Sequence, residues 1–325
     1  MNFGSFTLRM WVVIGIVLVP LAILAAMIVF GTKAPPPPLS SISEPFRHVD
    51  FSDLSPLQNV PARDGTPLAY RVWPARADTL VAIAIHGSSA HSASMHPLGK
   101  GLAAAGVTVY APDIRGHGGS GPHGDIGYVG ELDDDMADFV AAVRARHPKL
   151  KLALLGFSSG GGFALHIAAT PLGRAFERVV LLSPMLGPRA PTARAGNPWV
   201  AVYLPRIIAL VLLNRVGIHA FDGLPTLAFA IAPDNPGKLT TVYSFRLMQA
   251  FGTRDYAADL RNAQTPLAVL VGGKDELFDA EKFAPAVHAV RLEVPVTVVP
   301  ELGHIAMTID ARALAAIAAA VRGAP

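Results

Sequence analysis

Six short runs that are apolar at nearly every position constrain this chain most: residues 80–85, 107–111, 150–157, 179–183, 267–271 and 296–299. A strand with one solvated face alternates apolar and polar residues, so runs without alternation predict strands covered on both faces. Segments of helical period lie between them, the pattern of a mostly parallel sheet flanked by helices, an α/β fold. The clearest predicted helix spans 131–147, where Leu132, Met136, Phe139, Val140 and Val143 share one face. Asp133, Asp134 and Asp135 fall in its first turn, and Arg144 and Arg146 in its last. Each sign sits where the helix dipole favours it. The three aspartates therefore read as a solvated helix start and not as a metal site.

Composition narrows the function classes. The 27 Lys and Arg residues against 24 Asp and Glu leave a net charge of only +3, so no nucleic-acid partner is implied. The absence of cysteine excludes disulfides, thiolate metal sites and cysteine nucleophiles. With 51% hydrophobic and 16% charged residues the chain is more apolar than a core requires, and the surplus collects in residues 10–30, which carry no charge. At 1.5 Å per residue such a helix is about 30 Å long, the thickness of a bilayer core. It exceeds the apolar stretch of a cleaved signal, and no A-x-A site follows. The expectation is a single-pass membrane anchor over 1–33, with the short N-terminal head favouring a catalytic part on the non-cytoplasmic side. Residues 34–45, APPPPLSSISEP, predict a polyproline II spacer that forms neither helix nor sheet, within a linker over 34–60. One domain then fills 61–325.

The chemistry centres on Gly156-Phe157-Ser158-Ser159-Gly160, a G-x-S-x-G run between a predicted strand and a predicted helix. A serine on so sharp a turn projects its hydroxyl at the strand's carboxyl end, and Gly156 and Gly160 let strand and helix backbones approach. Ser158 is the candidate nucleophile, and it needs a base with an orienting acid. Residues 267–271 lead through two glycines to Asp275, and the loop after 296–299 carries His304. Glu276 and Asp279 are the next acids to consider. Two oxyanion donors are expected from backbone amides, one at Ser159 and one at Ser88 in the His86-Gly87-Ser88 turn. His86, a competing base, suits a turn-bracing role better.

Two further segments matter. Gly116-His-Gly118-Gly-Ser-Gly121 satisfies G-x-G-x-x-G, but Pro122 and Gly124 follow where a dinucleotide fold demands a helix, which argues against nucleotide binding. About eighty residues separate 183 from 267, far more than a crossover needs, so a helical lid is expected over about 187–262. Its apolar stretch 199–213, interrupted by Arg206, reads equally as an acyl or membrane contact and as plain packing.

The chain order Ser158, Asp275, His304 is that of α/β-hydrolases. Together with the 86–88 turn, Asp113-Ile-Arg-Gly-His-Gly-Gly-Ser120, Gly273-Lys-Asp275 and Gly303-His304, the chain resembles the monoacylglycerol lipase and lysophospholipase-like branch of that superfamily, which grades into serine aminopeptidases. The resemblance covers roughly 62–321. It implies an α/β-hydrolase fold with an inserted lid, no cofactor, and hydrolysis of a small-molecule or lipid ester through an acyl-enzyme. Phe157 and Ser159 stand where that branch commonly has His and Met, which bears on the substrate. A serine aminopeptidase or amidase is the alternative, although its amine-binding acids are not evident, Asp222 and Asp234 being scattered. A ligand-binding protein on a hydrolase scaffold is the non-enzyme alternative.

Overall fold

The computed structural model describes residues 3–77, 80–232, 234–235 and 238–323, with the side chains of residues 3–15 and 17 outside that description. The main sheet opens with an antiparallel hairpin, β1 (Gln58–Pro61) and β2 (Pro67–Trp73), which the apolar runs did not announce. It continues with β3 (Leu80–Ile85), β4 (Val107–Pro112), β5 (Lys151–Phe157) and β6 (Arg178–Leu182). A second, antiparallel sheet of β7 (Val200–Val202), β8 (Pro225–Phe229) and β9 (Val242–Ser244) is inserted before β10 (Leu267–Gly272) and β11 (Val296–Val299) return to the first. The order across the main sheet is β1-β2-β4-β3-β5-β6-β10-β11, parallel from β4 onward. All six predicted strands are present, within a residue or two of the expected ends.

The helices are α1 (Phe3–Phe30), α2 (Ser40–Arg47), α3 (His96–Ala104), α4 (Glu131–Arg146), α5 (Ser159–Ala169), α6 (Leu204–Arg215), α7 (Phe245–Ala250), α8 (Tyr256–Asn262), α9 (Phe283–His288) and α10 (Ala311–Arg322). Val81, Ile83 and Ile85 of β3 pack with Phe139 of α4 and Phe163 of α5, while Ala82 and Ala84 pack with Leu98 of α3 and Ile317 of α10. That two-sided cover is why the strands read as unbroken apolar runs. Burying each large side chain contributes roughly 1.5–3 kcal/mol. From β3 the chain passes to β4 on one side and then to β5 on the other, so the loops leaving β3 and β5 diverge and open a crevice at the carboxyl edge.

Several expectations need correction. The spacer is not wholly extended: residues 40–47 form α2, tied to the insertion by the Leu39 N–H donating to the Ala230 carbonyl (3.3 Å). The insertion is not purely helical, because β7–β9 form its floor and α8 packs on α5 of the body. The three aspartates of α4 are not simply solvated. Asp135 pairs with buried Arg115 (2.7 Å), Asp133 with His166 (3.2 Å) and Asp134 with Arg63 (2.5 Å). Among the described residues no cluster of His, Asp and Glu fits a metal ion. The G-x-G-x-x-G run is a loop held by positive φ at Gly116, Gly118 and Gly121, with no helix opening from it.

Among the described residues no helix is long and apolar enough to cross a membrane. The predicted span falls within α1, but the side chains of residues 10–15 and 17 lie outside the description. The end of α1 rests on α6. Arg206, the charge that interrupts the apolar stretch, donates to the Ile28 carbonyl (2.7 Å), one of those left open in the last turn of α1, and to the Pro225 carbonyl at the start of β8 (2.8 Å).

Candidate active site

β5 ends at Phe157, and the next residue takes φ +56° and ψ −119°, a conformation an L-residue holds only when its surroundings impose it. The surroundings do so at Ser158. Its N–H donates to the Leu182 carbonyl (2.9 Å), and its carbonyl accepts from the amides of Gly161 (2.9 Å), Gly162 (3.1 Å) and Met185 (2.9 Å). A Cβ on Gly156 would run into the Gly160 carbonyl, and one on Gly160 into the His86 carbonyl. Both glycines are therefore required by close approach, and the second contact draws the loop after β3 beside the elbow. A Cβ on Gly87 would lie 3.2 Å from that of Ser158.

Asp275 leaves β10 one loop away. Its Oδ1 accepts from the amides of Leu277 and Phe278 (both 2.9 Å), which turns Oδ2 onto His304 Nδ1 at 2.8 Å. Both residues are buried, at 1% and 2% exposure. Burial works to raise the Asp275 pKa, but the adjoining His304 ring and the Phe278 amide outweigh it and hold the carboxyl below its ordinary value. An anionic Asp275 accepts a proton-bearing Nδ1, leaving the Nε2 lone pair of His304 for other work. The ring is wedged between Phe157, 4.7 Å away centroid to centroid, and Phe278 at 5.3 Å. Of the other acids considered, Glu276 accepts the His304 backbone N–H (2.9 Å) and Asp279 pairs with Lys282 (3.1 Å).

Ser158 and His304 line one cavity of about 580 Å3, and no hydrogen bond joins their side chains. Ser88 also lines it, its Oγ accepting from Trp199 Nε1 (2.9 Å). The amide N–H groups of Ser88 and Ser159 find no protein acceptor among the described residues. His86 does not compete as a base. Its Nδ1 is engaged by the Gly87 carbonyl (2.8 Å) and its Nε2 by the Ile114 N–H (3.1 Å), and burial pushes its pKa down to about 4.

Most of the cavity wall is apolar, and part of it was not foreseen. Leu39 and Ile42 of the supposed spacer and Phe46 just past it line the cavity, with Phe51 and Leu54 following. Their i, i+3, i+7 spacing is a helical signal in the sequence, obscured by the neighbouring prolines. The stretch 199–213 divides. Trp199 lines the cavity, whereas α6 turns away from it, packs on α1 and exposes Leu204, Ile208 and Leu212. Asp234 is the one carboxylate on the wall among the described residues, and Asp222 is buried elsewhere against Asn214.

A family model described as "Serine aminopeptidase, S33" matches residues 76–308, which takes in Ser88, Ser158, Asp275 and His304 but not the cavity wall built by residues 39–54. The chain belongs to that α/β-hydrolase family. Among its relatives is a monoacylglycerol lipase from Mycolicibacterium smegmatis, 29% identical over 252 residues, covering 74% of this chain and 86% of the relative. Human monoglyceride lipase is 25% identical over 247 residues, covering 72% and 77%. The solved structure of a soluble variant of monoglyceride lipase from Saccharomyces cerevisiae superposes with a TM-score of 0.61 at 17% identity, covering 85% of this chain and 98% of that one, and speaks for the fold alone. The family and these relatives support an ester hydrolase.

Proposed function

We propose that this member of the family is a serine hydrolase that cleaves carboxylic esters of apolar acyl chains, of the monoacylglycerol lipase, lysophospholipase or esterase type. The observation that carries the reading is the Asp275–His304 pair placed with Ser158 on the wall of a large, mainly apolar cavity. His304 Nε2 takes the Ser158 proton as Oγ attacks the ester carbonyl, and Asp275 holds the imidazole in the required tautomer. The developing oxyanion is met by the amides of Ser88 and Ser159, donors worth on the order of 3 kcal/mol each in such sites. Collapse passes the proton to the leaving alcohol and leaves an acyl group on Ser158. Water, deprotonated by His304, then releases the acid. No metal or organic cofactor has a part in these steps.

The test is hydrolysis of p-nitrophenyl esters from acetate to palmitate, with Ser158→Ala as control. Rates that peak at medium or long chains and vanish in the variant support the reading. A peak at acetate would make the protein a small-ester or amide hydrolase, and activity surviving in Ser158→Ala would remove the assigned nucleophile. An aminopeptidase reading rests on Asp234 as a partner for a substrate amine. Cleavage of aminoacyl p-nitroanilides, lost in Asp234→Asn, would favour it.

We also infer that residues 10–30 anchor the enzyme in a bilayer, from the length of the uncharged run and the strong exposure of Ile16, Leu18 and Phe30. Resistance to carbonate extraction from membranes checks this, and release into the supernatant overturns it.

A further inference from the structure

His86, His117 and Tyr243 are buried, take no part in the proton transfers above, and converge on the loop that follows β3. The Gly87 carbonyl is held by His86 Nδ1 at 2.8 Å. In a trans peptide the N–H points opposite to the C=O, so the Ser88 N–H is turned away from His86. The next two peptides are held from the inserted cap. Ser89 N–H donates to Tyr243 Oη (2.7 Å), and Thr240 N–H donates to the Ser89 carbonyl (2.9 Å). Ser89 has φ +67°, which a serine keeps only under such restraint. Ser88 thus lies between two fixed peptides, and Trp199 fastens its hydroxyl as well.

The protons in this network have one arrangement. His117 Nδ1 faces the carbonyls of Ile114 (3.1 Å) and Arg115 (3.3 Å), so it carries the hydrogen and Nε2 accepts. Tyr243 Oη lies 2.5 Å from that Nε2 and donates to it, which leaves an oxygen lone pair for Ser89 N–H. Burial holds His117 well below its ordinary pKa and pushes Tyr243 up, so both stay neutral at working pH. The neighbours of His117 that bear on this are His86 and His123 and the Tyr243 phenol.

We propose that Tyr243, braced by His117, is a positioning residue for the oxyanion hole: by holding Ser89 N–H it aims the Ser88 amide at Ser158. The cap then supplies part of the transition-state machinery in addition to covering the site. This rests on the reading of Ser88 as an oxyanion donor.

The test uses the full chain and a fluorophosphonate probe, whose P=O occupies the oxyanion position while Ser158 Oγ bonds to phosphorus and fluoride leaves with the serine proton. Tyr243→Phe is expected to slow Ser158 labelling and ester kcat together, by roughly ten- to a hundredfold, with KM within about threefold; a single oxyanion donor removed outright costs about 10² to 10³. A purely structural tyrosine would lower the melting temperature and leave both rates of the folded enzyme alone. Should Tyr243→Phe not fold, Trp199→Phe, which removes the indole N–H from Ser88, must show a smaller loss in the same direction. Wild-type rates in whichever variant folds, or a change confined to KM, overturn the proposal. A wild-type protein that the probe does not label at Ser158 overturns the hydrolase reading and this proposal with it, a result distinct from normal labelling that the variants leave unchanged.

Discussion

Asp275 stands beside Glu276, and the two acids divide the work of holding one histidine: the first binds the ring and the second the backbone N–H. Asp275→Asn keeps the shape but favours the wrong imidazole tautomer, a change that costs about 10⁴ in kcat in serine hydrolases of known mechanism. The same scale of loss is expected here on a medium-chain ester, with Glu276→Gln losing less than about tenfold; equal losses would move the orienting role. Gly160→Ala drives a methyl group into the His86 carbonyl and is expected to yield little soluble protein, read directly as expression yield. These residues were legible because their chemistry depends on type and local spacing: a serine between glycines, an acid and a histidine each just past a buried strand. Trp199 and Tyr243 were not. Their partners lie 111 and 154 positions away in sequence, and no local pattern encodes a contact across that distance.

At the scale of elements, α4, α5 and α8 meet around His166, which sits on the helix that begins just after Ser158. Its Nε2 lies 3.2 Å from Asp133 and its Nδ1 3.9 Å from Asp259, and the hydrogen bond to the first carboxylate with the nearby charge of the second pushes its pKa up to about 9. A folded pKa above the unfolded value of about 6.5 means the stabilisation is complete below pH 6.5 and lost as pH rises through 9. The melting temperature of wild type should therefore exceed that of His166→Gln by most at pH 6, with the gap closing by pH 10; a gap independent of pH would refute the charge pairing. The sequence placed Asp133 correctly on α4 but left it solvated, since its partner lies on another helix. α2 was hidden for a different reason. Proline-rich composition outweighed the apolar spacing of Leu39, Ile42 and Phe46, and only the cavity behind them makes a short helix worth forming. Phe46→Ala is expected to lower kcat/KM several-fold for decanoate and longer esters while leaving acetate unchanged, because only a long chain reaches that wall. A uniform drop would mean α2 supports folding alone.

Taken whole, the molecule is a two-sided α/β body, a cap with its own small sheet, and an N-terminal segment that reaches both α6 and the cavity. The body was readable because strands buried on both faces leave unbroken apolar runs. The cap was readable only as an insertion, since short strands such as Val200–Val202 carry too few residues for a period to register. A protein beginning at Ala34 retains α2 and should keep the full chain-length profile, whereas one beginning at His48 should lose long-chain hydrolysis selectively; matching profiles would free the segment from the site. Pro35 to Pro38 lie between the end of α1 and the start of α2. In mechanical terms four consecutive prolines are a strut, stiff and about 12 Å long at 3.1 Å per residue. On the proposed reading of α1 as a bilayer anchor and of the cavity as an acyl site, a tilt or change of depth of α1 is passed along that strut to one cavity wall, so the thickness of the surrounding lipid would become a setting for which chain length is preferred.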